Sequence, residues 1–313
     1  MSCKACSTRA LPEDDTVLNV TVDPSKVPAL AAERSPGYWQ TEGRRFVRDP
    51  VALVAGTMIL SLLLLAVLGP WLAPADPYGA SMLNRLKPIG TPGYPLGADE
   101  LGRDMLSRLM VGARLSLFMG ITPVICAFVI GSVFGIVAGY VGGLTNTLMM
   151  RTIDVFYAFP SVLLAIALSG ALGAGITNSL ISLTVVFIPP IARVAESVTT
   201  QIRSRDFVEA ARASGANAAT IVRVHVLGNV LGPVFVYATS LIAVSMILAS
   251  GLSFLGLGVK PPEPEWGLML NTLRTAIYTQ PFIAALPGLM IFITSIAFNL
   301  LSDGLRSAME IKQ

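Results

Sequence analysis

Residues 209–229 contain Glu209-Ala210-Ala211-Arg212-Ala213-Ser214-Gly215, then Ile221, then His225-Val226-Leu227-Gly228-Asn229. This polar stretch lies between two long apolar runs. Its first half mixes charge (Arg203, Arg205, Asp206, Glu209, Arg212) with helix formers and apolar contacts (Phe207, Val208, Ala210, Ala211, Ala213). Twelve such residues make a helix of about 18 Å. Gly215 suits a left-handed helix stop, and Asn217 suits the cap of a second helix starting near Ala218. The alanines at 210 and 211 leave room for another surface to approach. The residues alone leave two readings open: a solvated interhelical loop, or a helix-break-helix knob gripped by a partner.

Composition sets the surroundings of that stretch. Of 313 residues, 53% are hydrophobic and 13% charged, where soluble domains carry about 25% charge. The chain therefore reads as an integral membrane protein. The net charge of +3 is small, and no basic cluster of the kind nucleic-acid binding requires is present. Cys126 lies in an apolar run, as a packed thiol does. Cys3 and Cys6 form a C-x-x-C without the second pair that a zinc set needs. No apolar run precedes Val51, so no cleavable signal peptide is expected. Residues 1–43 are polar and proline-containing and read as a disordered tail.

A helix needs about 20 apolar residues to cross a bilayer. Six segments qualify, at roughly 51–72, 115–140, 153–173, 177–195, 230–256 and 281–301. Arg44, Arg45 and Arg48 precede the first, which puts the N-terminus in the cytoplasm. Six crossings return the C-terminus, with Arg306 and Lys312, to the same side. The 200–229 stretch falls there too. Segment 73–112 falls outside despite Arg85, Lys87, Arg103 and Arg108, with Asp76, Asp99, Glu100 and Asp104 as offsets. Gly131, Gly135 and Gly139 share one helix face, and such spacing lets backbones approach in lipid. Packing within the subunit is the favoured explanation.

The only well-embedded acid is Asp154, with Arg151 at i−3 as partner, so a structural or gating ion pair is favoured over a proton relay. Trp266 and Tyr278 read as an interfacial aromatic belt. Pro261, Pro262 and Pro264 stiffen the loop at 258–280. His225 is the sole histidine, too few for a triad or metal set, and reads as a helix-end cap.

The order Glu209-Ala210-Ala211, Gly215, Ile221, Leu227 resembles the EAA loop of bacterial binding-protein-dependent ABC-importer permeases. His225-x-Leu227-x-Asn229 is similar to the dipeptide/oligopeptide/nickel branch, with Gly228 in place of its usual proline, a change expected to relax a turn entering the fifth span. Four further stretches resemble that branch. They are Leu96 to Leu117 around Asp99, Arg103, Asp104 and Arg108; Arg151-x-x-Asp154 with Phe159-Pro160; Leu252 to Gly267 through Pro261, Pro262 and Trp266; and Asp303 to Arg306. Resemblance covers 45–306.

It implies an all-α, six-helix, type I ABC-importer membrane domain in the bacterial inner membrane. Residues 44–112 are then the first membrane helix and external segment. Residues 113–306 are the transmembrane domain with its coupling loop at 200–229, and 307–313 a cytoplasmic tail. It implies a heterodimer with a second permease subunit, two ATPase subunits gripping Glu209, Ala210, Ala211, Arg212, Gly215, Ile221 and His225, and a substrate-binding protein outside. ATP and Mg would be bound by the ATPases and no cofactor by this chain, which has no G-x-x-x-x-G-K-[ST]. The expected cargo is a di- or oligopeptide, with nickel or another small solute as alternative. A stand-alone proton-coupled transporter is the rival class.

Overall fold

A computed structural model describes residues 49–309. The expectations for the 1–43 tail, for Cys3 and Cys6, and for Arg44, Arg45, Arg48 and Lys312 lie outside the described residues. Within them the regular structure is helical, apart from isolated bridges at Thr91–Tyr94 and Ala98–Asp104 in the largely irregular 73–104 segment.

Helix α1 spans Pro50–Leu72. Asp49 caps it, accepting the Val51 N–H at 2.9 Å, and Pro50 opens it where a missing N–H costs nothing. Its buried side is Ala52, Ala55, Ile59, Leu62, Ala66 and Gly69, alternating steps of three and four along one stripe. Small residues bring neighbours close. A Cβ on Gly69 would stand 2.7 Å from the Met110 carbonyl oxygen, and one on Gly304 would stand 2.6 Å from Ala52 Cβ. The opposite side, with Leu60, Leu64 and Val67, is exposed, as lipid contact requires.

Helix α2 spans Met105–Val141 and α5 spans Ile176–Arg203. The glycine stripe of α2 is their seam. A Cβ on Gly131 would meet Ile191 near 3.0 Å, on Gly135 would meet Ala195 Cβ at 2.7 Å, and on Gly139 would meet Thr199 Cβ at 2.8 Å. The stripe therefore serves packing within the subunit. Both helices outrun their expected bounds because helical structure continues through polar turns that the apolar count excludes.

The third segment departs from a single span at 153–173. Helix α3 covers Gly143–Tyr157 and α4 covers Ser161–Leu172, bent by 86°. Pro160 has no N–H and disfavours helical backbone at Phe159, so the helix breaks there. At the far end of α4, Ser169 and Ser179 hydroxyls lie 3.3 Å apart, tying α4 to α5.

Helix α6 covers Asp206–Ala213 and α7 covers Ala218–Ile221, which runs through a π-helical turn at Val222–Val226 into α8, Leu227–Phe254. Helix α9 covers Trp266–Thr272, and α10 covers Pro281–Met309. Among the described residues five helices are thus long and apolar enough to cross a membrane, or six if the bent α3–α4 pair is one span. One core cluster centres on α2, α5 and α8, around Val124, Leu183, Ile191 and Val234. The other joins α1, the start of α2, α9 and α10, around Leu62, Leu109, Trp266 and Ile291.

Candidate functional site

The knob is built by its break. Three bonds close α6: Ser214 N–H to Ala210 O at 2.9 Å, Gly215 N–H to Arg212 O at 3.1 Å, and Ala216 N–H to Ala211 O at 3.1 Å. This is the Schellman pattern. It needs a left-handed residue, and Gly215 has φ +83°. Two residues on, the Asn217 side chain accepts the Thr220 N–H at 2.8 Å and starts α7. Glycine stop and asparagine start lie where the sequence placed them.

Burial gives the knob two sides. Val208 and Ile221 are 0% and 1% exposed, with Ala211 and Ala216 packed beside them. Glu209, Ala210, Arg212 and Gly215 face outward. Beside them a depression of about 440 Å³ is lined by Ile202, Arg205, Asp206, Phe207 and Asn229. The His225 ring lies 6.1 Å from that of Phe207, bracing α6 against the π-turn. His225 is therefore mid-helix and not a helix-end cap. The turn that Gly228 was expected to relax is replaced by continuous helix. From Ala218 to Phe254 the chain is one helix of 37 residues, with Gly228 in helical backbone inside it. The second half of the knob is thus rigidly part of the fifth span.

Asp154 has two arginine neighbours. Arg151 approaches to 3.6 Å, as the spacing suggested. The nearer partner is Arg193 of α5, which donates from Nη2 to Asp154 Oδ1 and lies 5.1 Å from the centre of the Tyr157 ring. The sequence reading missed Arg193, since no spacing rule links positions 39 apart.

At the other end of the bundle, a buried polar lattice joins three segments. Asp99 Oδ2 accepts Arg103 Nε at 2.7 Å, with Arg108 Nε at 3.4 Å. Asp104 caps α2 through the Ser107 N–H at 2.9 Å, while Ser107 Oγ accepts the Ala75 N–H at 3.0 Å. Arg108 Nη1 donates to the carbonyls of Pro77 at 2.9 Å and Pro262 at 3.4 Å. The loop after α8 is held further by Tyr78 Oη donating to Glu263 at 3.0 Å. Burial, then that carboxylate, pushes the Tyr78 phenol upward.

Pro261 and Pro262 lie on this loop and are exposed, but Trp266 is not a belt residue. It is 0% exposed, with its N–H on Ser116 Oγ and its indole N–H on Leu109 O, both at 3.0 Å. The loop folds back into the bundle, so the indole packs in protein. Tyr278 is 90% exposed, as a belt residue should be. Glu265 caps α9, accepting the Gly267 and Leu268 N–H groups at 2.8 Å each. Burial pushes its carboxyl above the ordinary 4.5, against the pull of those bonds.

Comparison with known proteins assigns this architecture. Residues 131–311 match the binding-protein-dependent transport system inner membrane component family, and residues 37–88 match the N-terminal TM domain of oligopeptide transport permease C. The chain belongs to the binding-protein-dependent inner membrane component family. It is 40% identical over 274 residues to the glutathione transport system permease protein GsiD of Pectobacterium atrosepticum, covering 88% of this chain and 91% of that one. GsiD of Escherichia coli O6:K15:H31 is also 40% identical, over 91% and 94%. The fold is shared with an inward-facing MetNI methionine ABC transporter, at TM-score 0.55 and 19% identity over 66% of this chain and 98% of that one. The molecule is accordingly a multi-pass inner-membrane permease subunit of an ABC importer, of the oligopeptide branch. Membership implies ATPase partners, and the permease itself is not the ATPase.

Proposed function

We propose that this permease forms half of the translocation pathway for di- or oligopeptides and works by alternating access. Glutathione is a tripeptide, so likeness to glutathione permeases over nine-tenths of the chain favours peptide cargo over nickel. The partners proposed are a second, related permease subunit, two ATPases carrying ATP and Mg, and a substrate-binding protein docking on the Pro261–Pro262 loop. Both chain termini and the knob lie on the cytoplasmic side in this reading.

One observation carries the coupling role. Glu209 and Arg212 are presented outward on α6, and the next helix continues without a break into α8. A subunit that grips α6 therefore acts across the short Gly215 link on a helix that is itself the start of a membrane span. The alternative of a solvated loop does not call for a buried underside at Val208 and Ile221. Purification of the assembled importer tests the proposal. The chain should co-purify with an ATPase and, in vesicles, support ATP-dependent uptake of labelled glutathione or dipeptides when the binding protein is supplied. Uptake by this chain alone, driven by a proton gradient, would establish the rival class.

A further inference from the structure

We propose that Tyr157, Arg193 and Tyr237 line the translocation pathway, and that Arg193 is the anchor for a carboxylate of the imported solute, with Asp154 holding it when no solute is present. This deepens the peptide-import reading and rests on it.

The first observation is the break in the third segment. Helix α4 has 12 residues, about 18 Å of helix, too short for a hydrocarbon core of about 30 Å. Non-helical backbone at that depth is tolerated where it is buried in protein or lines a water-filled cavity. A cavity of about 330 Å³ opens at the break, against Tyr157, Phe159, Pro189, Pro190 and Tyr237. A second, of about 260 Å³, shares Tyr157, Pro190 and Tyr237 and adds Arg193 and Ser197. The two share a wall at Tyr157, Pro190 and Tyr237, and the second lies nearer the knob end of α5.

The second observation is the ion pair. Arg193 lies 17 positions beyond Ile176, about 26 Å along α5, near the knob-side end of the apolar 177–195 segment. The Arg193 and Asp154 side chains are 49% and 37% exposed. Half-exposed charges at that depth face water or protein and not lipid.

The charge count leaves an opening. Arg193 and Arg151 share the single carboxylate of Asp154. Glu196, one turn beyond Arg193, is engaged elsewhere, accepting from Asn146 at 2.7 Å and Thr200 at 3.2 Å. A guanidinium has five donors in a planar fork, and Asp154 does not use them all. A solute carboxylate can pair with the free edge bidentately, with Tyr157 and Tyr237 supplying amphipathic walls.

The test uses the assembled importer in inverted vesicles, in a background without Cys3, Cys6 and Cys126. Ser197→Cys should react with a charged methanethiosulfonate, while Leu64→Cys on the lipid-facing side of α1 should not. Arg193→Gln should cut dipeptide uptake about tenfold or more, with normal co-purification of the ATPases, and Arg193→Lys should recover part of it. An unreactive Ser197→Cys would mean that the partner subunit covers this face, and the pathway assignment falls. Wild-type uptake by Arg193→Gln removes the anchor role. A wild-type importer that carries no peptide would instead defeat the peptide reading, and labelling of Ser197→Cys without solute would still report on the pathway.

Discussion

The indole N–H of Trp266 donates to the carbonyl oxygen of Leu109 at 3.0 Å, linking α9 to α2 across 157 positions. The same indole packs over Gly112, where a Cβ would stand 3.3 Å from Trp266 Cδ1. Loop and helix are built around each other at this point. Trp266→Ala should cost about 3–5 kcal/mol, and Trp266→Phe, which keeps most of the volume, about 1 kcal/mol. Thermal denaturation of the detergent-solubilised protein measures both. Equal melting of Trp266→Ala and wild type would contradict a core role.

Glu265 makes stability depend on pH. Its folded carboxyl titrates above the ordinary 4.5, chiefly because it is buried. The folded state therefore holds the proton more tightly than the unfolded state. That contribution is fully present below pH 4.5 and is lost as pH rises through the folded value. Glu265→Gln removes the titration but also one of the two cap acceptors. The melting advantage of wild type over Glu265→Gln should shrink from acid toward neutral pH. An advantage that grows over that range would reverse the sign of the shift.

Two glycines should respond oppositely to substitution. Gly135 faces Ala192 O and Ala195 Cβ across the α2–α5 seam, where a side chain has no room. Gly135→Val should force the helices apart and lower the melting temperature by several degrees. Gly228 is helical, exposed and has nothing within 4 Å of a built Cβ. Gly228→Ala should stabilise by about 0.5–1 kcal/mol. A loss on Gly228→Ala would show that the backbone there is not helical.

Much of this was legible in the sequence, for identifiable reasons. Spans declare themselves through apolar length. The knob declares itself through Gly215 and Asn217, whose conformational and capping preferences are local. What was missed is non-local. The indole of Trp266 is amphipathic enough for either a belt or a core, and only the return of the loop onto Leu109 and Ser116 decides. Arg193 meets Asp154 because α3 and α5 lie side by side, 39 positions apart in sequence, a pairing that hydropathy does not encode. Arg103 and Arg108 counted against the expected orientation because their pairing with Asp99, and their burial with it, was invisible.

Glu209 should matter for transport and not for folding. It is exposed, while the packing that holds α6 runs through Val208. Glu209→Ala should insert and express normally, with reduced uptake and weaker retention of the ATPase. Gly215→Leu places a side chain at φ +83°, a strain of about 1–2 kcal/mol at the stop between the two helices. It should lower uptake through loss of the knob's shape. Normal uptake by the double variant would end the coupling role.

The orientation rests on an even number of crossings from a cytoplasmic N-terminus. The loop after α8 and the knob lie at opposite ends of α8, so one labelling experiment reads both. Lys260 and Asn217 are exposed, and neither packs in the core. In a background without Cys3, Cys6 and Cys126, Lys260→Cys should react with an impermeant thiol reagent in intact spheroplasts. Asn217→Cys should react only after the membrane is opened. Asn217 also caps α7 through Thr220, so Ala219→Cys on the exposed side of the same helix serves as a second reporter that leaves the cap in place. Labelling of both knob positions from outside would invert the topology. It would also put Glu209 on the side away from any ATPase, because ATP is hydrolysed in the cytoplasm.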